Sequence, residues 1–126
     1  MNIPVASLLI AGVLPICSTA IAKWGFHQFD NHQPREWLAK QTGYRARANA
    51  AQLNAFEAFP FFAVAVLLGL VMQLEPTFLD RYCLVFIAAR ILYLLAYLLD
   101  VALFRTLCWV IGFASCIAIY VQLLVN

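Results

Sequence analysis

The sequence predicts an all-α integral membrane protein, a four-transmembrane-helix bundle forming a single domain over residues 1–126. Three observations predict it. Of the 126 residues, 65% are hydrophobic and 11% charged, against about 45–50% and about 25% in soluble domains. A soluble chain of this length has too little interior to hide so much apolar surface. The apolar residues also gather into long runs: 1–22, 58–74 and 106–126 carry no charge, and 82–99 carries only Arg90. Each is close to the roughly 17–25 apolar residues that a spanning helix needs. Finally, the charges cluster between the runs, with Lys23, Arg35, Lys40, Arg45 and Arg47 against Asp30 and Glu36 in residues 23–48.

The first span is expected over about 4–23. Its start, "MNIPVASLL", lacks the basic region of a cleavable signal peptide. Pro15 in its middle removes a backbone hydrogen bond that neighbouring helices must repair. In the loop "WGFHQFDNHQPREWLAKQTG", Asp30-Asn31 and Pro34 are turn residues and "REWLAK" forms a short helix ended by Gly43. Trp24 and Trp37 suit the headgroup boundary. The second span covers about 46–73, with its helix starting near Tyr44. At 1.5 Å per residue that helix is about 45 Å long, so its first turns stand out of the hydrocarbon, and Pro60 is expected to kink it. Glu75-Pro76 breaks the chain before a third span over about 79–98. The short link "LDVALF" leads to the fourth, about 105–125.

The positive-inside bias places the 24–46 loop in the cytoplasm, and with it the 99–104 loop; both termini and the 75–81 connection then lie outside. The basic loop lacks the pattern of nucleic-acid recognition, so no nucleic-acid partner is expected. Cys17, Cys83, Cys108 and Cys116 show no C-x-x-C or Cys/His spacing and read as small hydrophobes, with no metal site. His27 and His32 read as solvated loop residues.

The polar residues of the spans fall into faces. Arg47, Asn54 and Glu57 share a stripe of the second span, with Gln52 offset from it at similar depth. Arg90, Tyr93 and Tyr97 share a face of the third, and Arg105 stands at the start of the fourth. Ionisable groups in a span cost about 2.5–3.5 kcal/mol each on insertion scales, and usually face a partner or a wet cavity. Either Arg90 or Arg47 neutralises Glu57 between helices, or these residues line a polar binding cavity.

The segments "AQLNAFEAFPFF" and "ARILYLLAYLLDVALFRTLCWVIG" resemble the MAPEG family, membrane-associated proteins in eicosanoid and glutathione metabolism. Asn54-x-x-Glu57-x-x-Pro60, Arg90-x-x-Tyr93-x-x-x-Tyr97 and the later Arg105 match its pattern, and the resemblance covers essentially the whole chain. The basic loop is similar to the bacterial branch, which implies a bacterial inner membrane. The resemblance implies a homotrimer with glutathione between neighbouring subunits near the cytoplasmic face. Gln52, Asn54 and Glu57 would bind its backbone and amino end, with Tyr93 and Tyr97 lining the pocket and Arg90 and Arg47 completing the set. Arg105 would face the sulfur as the catalytic residue, since a guanidinium and a helix N-terminus both favour thiolate. The chain departs from the pattern at Ala50, where several glutathione-using members carry Arg, and at Ala58 and Leu103. Arg47, one turn earlier, is the cation nearest to Ala50's role, and Lys23 offers another.

The expected function is a glutathione transferase, alone or with glutathione peroxidase activity, acting on lipophilic electrophiles from the bilayer. The electrophile's groove is expected beside Trp109, Phe104 and Phe59–Phe62. The alternative is a non-catalytic lipid-binding or scaffold member. A small proton-coupled multidrug transporter is disfavoured, because such proteins carry their essential Glu in the first span and this first span has no acid.

Overall fold

A computed structural model describes residues 2–126. Four of its helices are long and apolar enough to cross a membrane. They are α1 (Ile3–Ala22), α3 (Gly43–Val71), α4 (Pro76–Leu98) and α5 (Ala102–Val125), with the short α2 (Pro34–Ala39) between the first two. No strand occurs among the described residues. Helices α3 and α4 are central: α1 packs on α3 and α4 from one flank, and α5 packs on α4 and α3 from the other.

The helices start and stop for local reasons. Asn2 caps α1, its Oδ1 accepting from the Val5 amide at 3.1 Å. Pro15 donates nothing to the Ala11 carbonyl, while Ser18 and Thr19 return their hydroxyls to the Leu14 and Pro15 carbonyls at 3.1 and 3.0 Å. Glu75 caps α4 by accepting from the Thr77 and Phe78 amides at 2.9 and 2.6 Å, with Pro76 in the first turn. The pair Glu75-Pro76 is therefore a helix start, a cap followed by a proline that needs no acceptor. So the third span begins at Pro76, three residues before the expected 79. The fourth likewise begins at Ala102 and not at 105, and the second occupies 43–71. Gly43 does not end α2, which closes at Ala39; it opens α3 with φ +62°, a conformation that glycine adopts without strain.

The interior is built from small and aromatic residues. Phe62 lies flat on Phe86 with ring centroids 3.8 Å apart, inside a cluster that includes Val66, Leu79, Cys83 and Ile119. Ala48, Ala51 and Ala55 form a buried stripe along α3, and small residues of this kind let membrane helices approach closely. Many large apolar side chains point outward, among them Leu9, Leu67, Leu95 and Leu103. Lipid is the solvent that such an exterior requires.

One end of the bundle carries the basic residues, and several of them close helices. Arg45 donates to the Ala22 and Trp24 carbonyls at 2.8 and 2.6 Å. Arg47 donates to the Leu98 carbonyl at 3.2 Å. Two arginines of α3 thus satisfy carbonyls at the C-terminal ends of α1 and α4, where a cation also meets the negative end of the helix dipole. Trp37 is buried with Leu38 against Ala22 and Ala48, whereas Trp24 is exposed.

Candidate functional site

Near the basic end, three helices assemble a row of cations and aromatic rings. Its anchor is Arg90 on α4, 4% exposed. Arg90 Nη2 donates to Asn54 Oδ1 on α3 at 2.8 Å, and its guanidinium lies 4.3 Å from the ring centre of Tyr93. Tyr93 meets Tyr97 edge to face at 5.6 Å. The Arg105 guanidinium of α5 in turn lies 4.3 Å from the Tyr97 ring. Helical spacing explains the middle: Arg90, Tyr93 and Tyr97 sit at i, i+3 and i+7, one face of α4. The ends come from segments 36 and 15 residues away, and only packing brings them in.

Arg105 is not the first residue of its helix. It lies at the end of the first turn, its amide donating to the Val101 carbonyl at 3.0 Å. No side chain caps the turn before it, so amides of α5's N-terminus stay free beside the guanidinium.

A cavity of about 230 Å³ opens between α3, α4 and α5. Its polar lining is Asn54, Glu57 and Arg90; the rest is apolar, chiefly Phe61, Phe86, Trp109 and Phe113. Trp109 and Phe113 stack at 5.3 Å, and Phe113 stacks on Phe61 at 5.6 Å. All three rings are partly exposed on the outer surface of the chain. Gly112 lets α5 come close here, since a Cβ in its place would stand 3.7 Å from Arg90 Cδ and 3.6 Å from Ala89 Cβ.

The expected site residues separate into two groups. Asn54, Arg90, Tyr93, Tyr97 and Arg105 form the row, and Glu57 joins it at the cavity. Arg47 is drawn off to the Leu98 carbonyl. Gln52 lies outside the cavity lining, its buried Oε1 without a hydrogen-bond partner. The expected neutralisation of Glu57 by Arg90 or Arg47 is absent. Glu57 is exposed, and the one ion pair among the described residues is Lys40–Glu36 at 2.8 Å. Phe104 borders a separate apolar hollow with Val101 and Leu107, Phe59 packs toward Gly12, and Phe62 is core. Of the expected groove, Trp109 and Phe61 remain. Gly112, Phe113 and Cys116 also line the cavity, and their signal was available: Arg105, Trp109, Gly112 and Cys116 fall at i, i+4, i+7 and i+11, one stripe of α5.

The model of one protein family, described as the MAPEG family, matches residues 3–125. No curated protein and no solved structure matches the chain.

Proposed function

The chain belongs to the MAPEG family, and on that premise we propose that it is a membrane-bound glutathione transferase acting on lipophilic electrophiles. The observation that carries the reading is the row Asn54–Arg90–Tyr93–Tyr97–Arg105, in which the three blocks of the family pattern become one continuous surface. Asn54 and Glu57 hold the polar end of glutathione, and Tyr93 and Tyr97 line its path toward Arg105. Arg90 acts there through Asn54, whose amide it orients.

Arg105 stabilises the thiolate. A thiol with an ordinary pKa of about 8.5 is mostly protonated at neutral pH, and a neighbouring cation lowers that value. Each unit of lowering corresponds to about 1.4 kcal/mol of preference for the anion. Tyr97 beneath the guanidinium restricts where that charge can sit. The thiol proton leaves to water, the sulfur forms a bond to the electrophilic carbon, and the electrophile's leaving group departs with its bonding pair. A lipid hydroperoxide meeting the same thiolate would be reduced to the alcohol, with oxidised glutathione formed by a second glutathione.

One feature supports assembly of several copies, which the family resemblance sets at three. Glu57 is exposed on a flank that is otherwise apolar, at a cost of kilocalories if it faced lipid. A neighbouring subunit would cover it and close the glutathione site. The charge asymmetry supports a cytoplasmic basic end with both termini outside, which gives the site access to cytosolic glutathione.

One observation favours the alternative of a lipid-binding or scaffold protein without the cofactor. Ala50 stands where glutathione-using relatives carry Arg, and Arg47, the nearest substitute, is held at the Leu98 carbonyl. Glutathione titration of the detergent-purified protein separates the two readings. A saturable ultraviolet difference band from thiolate, lost in Arg105→Ala, is expected. No band and no heat of binding in calorimetry would establish the alternative.

A further inference from the structure

The end of the bundle opposite the basic residues holds another hollow, of about 410 Å³. The start of α1, the end of α3 and the start of α4 meet there, contributing Ile3 and Pro4, Leu70 and Gln73, and Leu79 and Asp80. Its size falls within the roughly 300–1,000 Å³ of ligand pockets, and its wall is mostly apolar with a few polar groups, as such pockets are. The glutathione reading uses none of these residues.

The polar groups at this end are set for a cation. Two helix starts line the hollow, but their amides are already spent. The side chain and carbonyl of Asn2 take the amides of Val5 and Ala6 at 3.1 and 3.0 Å. The Glu75 carboxylate takes those of Thr77 and Phe78, and its carbonyl takes that of Leu79 at 3.1 Å. Pro4 and Pro76 have no amide hydrogen to give. An anion would find these helix starts occupied. Asp80 is the contrary case, a half-buried carboxylate with no ion pair and no hydrogen bond to its side chain among the described residues. Its neighbour Arg81 is exposed and forms no ion pair with it. The end of α3 adds the negative pole of a helix dipole. That helix closes on a turn in which the Gln73 and Leu74 amides return to the Leu70 and Gly69 carbonyls at 3.3 and 2.9 Å. Gln73 has φ +56° there, at the position where glycine is usual because other residues are strained. The glutamine brings a side-chain amide oxygen to the hollow.

We propose that this hollow binds an alkyl amine as its ammonium, with the head on Asp80 and Gln73 and the hydrocarbon body against Ile3, Leu70 and Leu79. Charge complementarity selects the head, because a hydrogen bond between ammonium and carboxylate is stronger than one between neutral groups. The apolar wall selects the body by removing it from water. Two other occupants fit less well. An alkyl carboxylate or phosphate would face Asp80 with the backbone donors of both helix starts taken. A phosphoethanolamine lipid head has the right ammonium but brings its phosphate within a few bonds of Asp80. The occupant is thus a free amine with a single charge. The site lies at the other end of the bundle from Arg105 and stands whether or not glutathione binds.

The test is photo-crosslinking of the protein, purified in a neutral detergent, by dodecylamine carrying a diazirine in its chain, with the labelled peptides identified by mass spectrometry. Label is expected in the segments around Ile3 and Leu70. Unmodified dodecylamine should compete for it at least about tenfold more tightly than dodecanol, a difference of about 1.4 kcal/mol. The two competitors share one chain, so only a site that reads the ammonium separates them. Asp80→Asn, nearly unchanged in size, should bring the amine down to the alcohol. Equal competition by amine and alcohol in the parent protein would overturn the proposal, and that comparison decides even if Asp80→Asn does not fold. A preference that survives Asp80→Asn would overturn it too, by placing the ammonium elsewhere. Competition by a short-chain phosphatidylethanolamine at the amine's own concentrations would also overturn it, by assigning the hollow to a lipid head.

Discussion

Replacing Asn54 by alanine tests the row at its single side-chain hydrogen bond. Among the described residues Asn54 Oδ1 is the only acceptor for Arg90, at 2.8 Å, and Arg90 is 4% exposed. A hydrogen bond to a charged group contributes about 1.5–3 kcal/mol, and stranding its buried partner costs the same order. The adjoining cavity of about 230 Å³ can admit water to the guanidinium, which returns part of the loss. Asn54→Ala should therefore destabilise by about 2 kcal/mol. Reversible unfolding in mixed micelles, followed by helical circular dichroism, measures it. Arg90→Met and the double variant complete a cycle. The double variant should be more stable than Asn54→Ala alone, because it removes the stranded charge along with its acceptor. The cycle should show a coupling of about 1.5–3 kcal/mol. Additivity within about 0.5 kcal/mol would refute the reasoning, since independent sites behave that way. Asn54→Asp gives the complementary outcome: a carboxylate in the amide's place should leave the protein more stable than Asn54→Ala does.

Arg45→Ala deletes donors to the Ala22 and Trp24 carbonyls and should cost about 1–2 kcal/mol, with hydrogen exchange rising first at the end of α1. Gly112→Ala should be nearly neutral, since its Cβ meets neighbours at ordinary contact distances of 3.6 Å or more, whereas Gly112→Leu should crowd Ala89 and Arg90 and destabilise by about 1–3 kcal/mol. Gly69→Leu should destabilise by about 1–3 kcal/mol through overpacking, because even a Cβ there would stand 3.0 Å from Leu79 Cδ1. Glu75 supplies the pH dependence. Its hydrogen bonds with Thr77, first, and with the Phe78 amide hold its carboxyl below the ordinary 4.5. A depressed folded-state value stabilises above the unfolded one, so α4's cap should be fully present above about 4.5 and lost as pH falls below it. Glu75→Gln should flatten that acid limb in a melting-temperature series; an unchanged limb would exclude the cap as its source.

The motif residues were legible only where spacing alone makes a face. Arg90, Tyr93 and Tyr97 share one because helical geometry leaves no choice, and the structure keeps them together. The same rule did not disclose Arg47's partner. It lies on the stripe of Asn54 and Glu57, yet two turns nearer the helix start it reaches the end of α4 and closes a carbonyl there. Periodicity reports direction around a helix, not what waits at each height. Glu75-Pro76 misled differently: proline ends helices and also begins them, and only the bonds from Thr77 and Phe78 to the Glu75 carboxylate distinguish the two.

Composition by itself determined that four long helices would form with lipid as their solvent, because no soluble core could absorb those apolar runs and a spanning backbone must satisfy its hydrogen bonds internally. It also marked Asn54, Glu57, Arg90 and Arg105 as residues too polar for their setting. Which of them meet was decided by the packing of α3, α4 and α5. A hydrogen bond across 36 residues and a guanidinium seated on Tyr97 depend on how three helices rotate and slide against one another. Small residues such as Gly112 set that approach, and no local pattern encodes it. The same packing left Arg90 without a carboxylate, since Glu57 turns outward on a helix face that the other three helices do not cover.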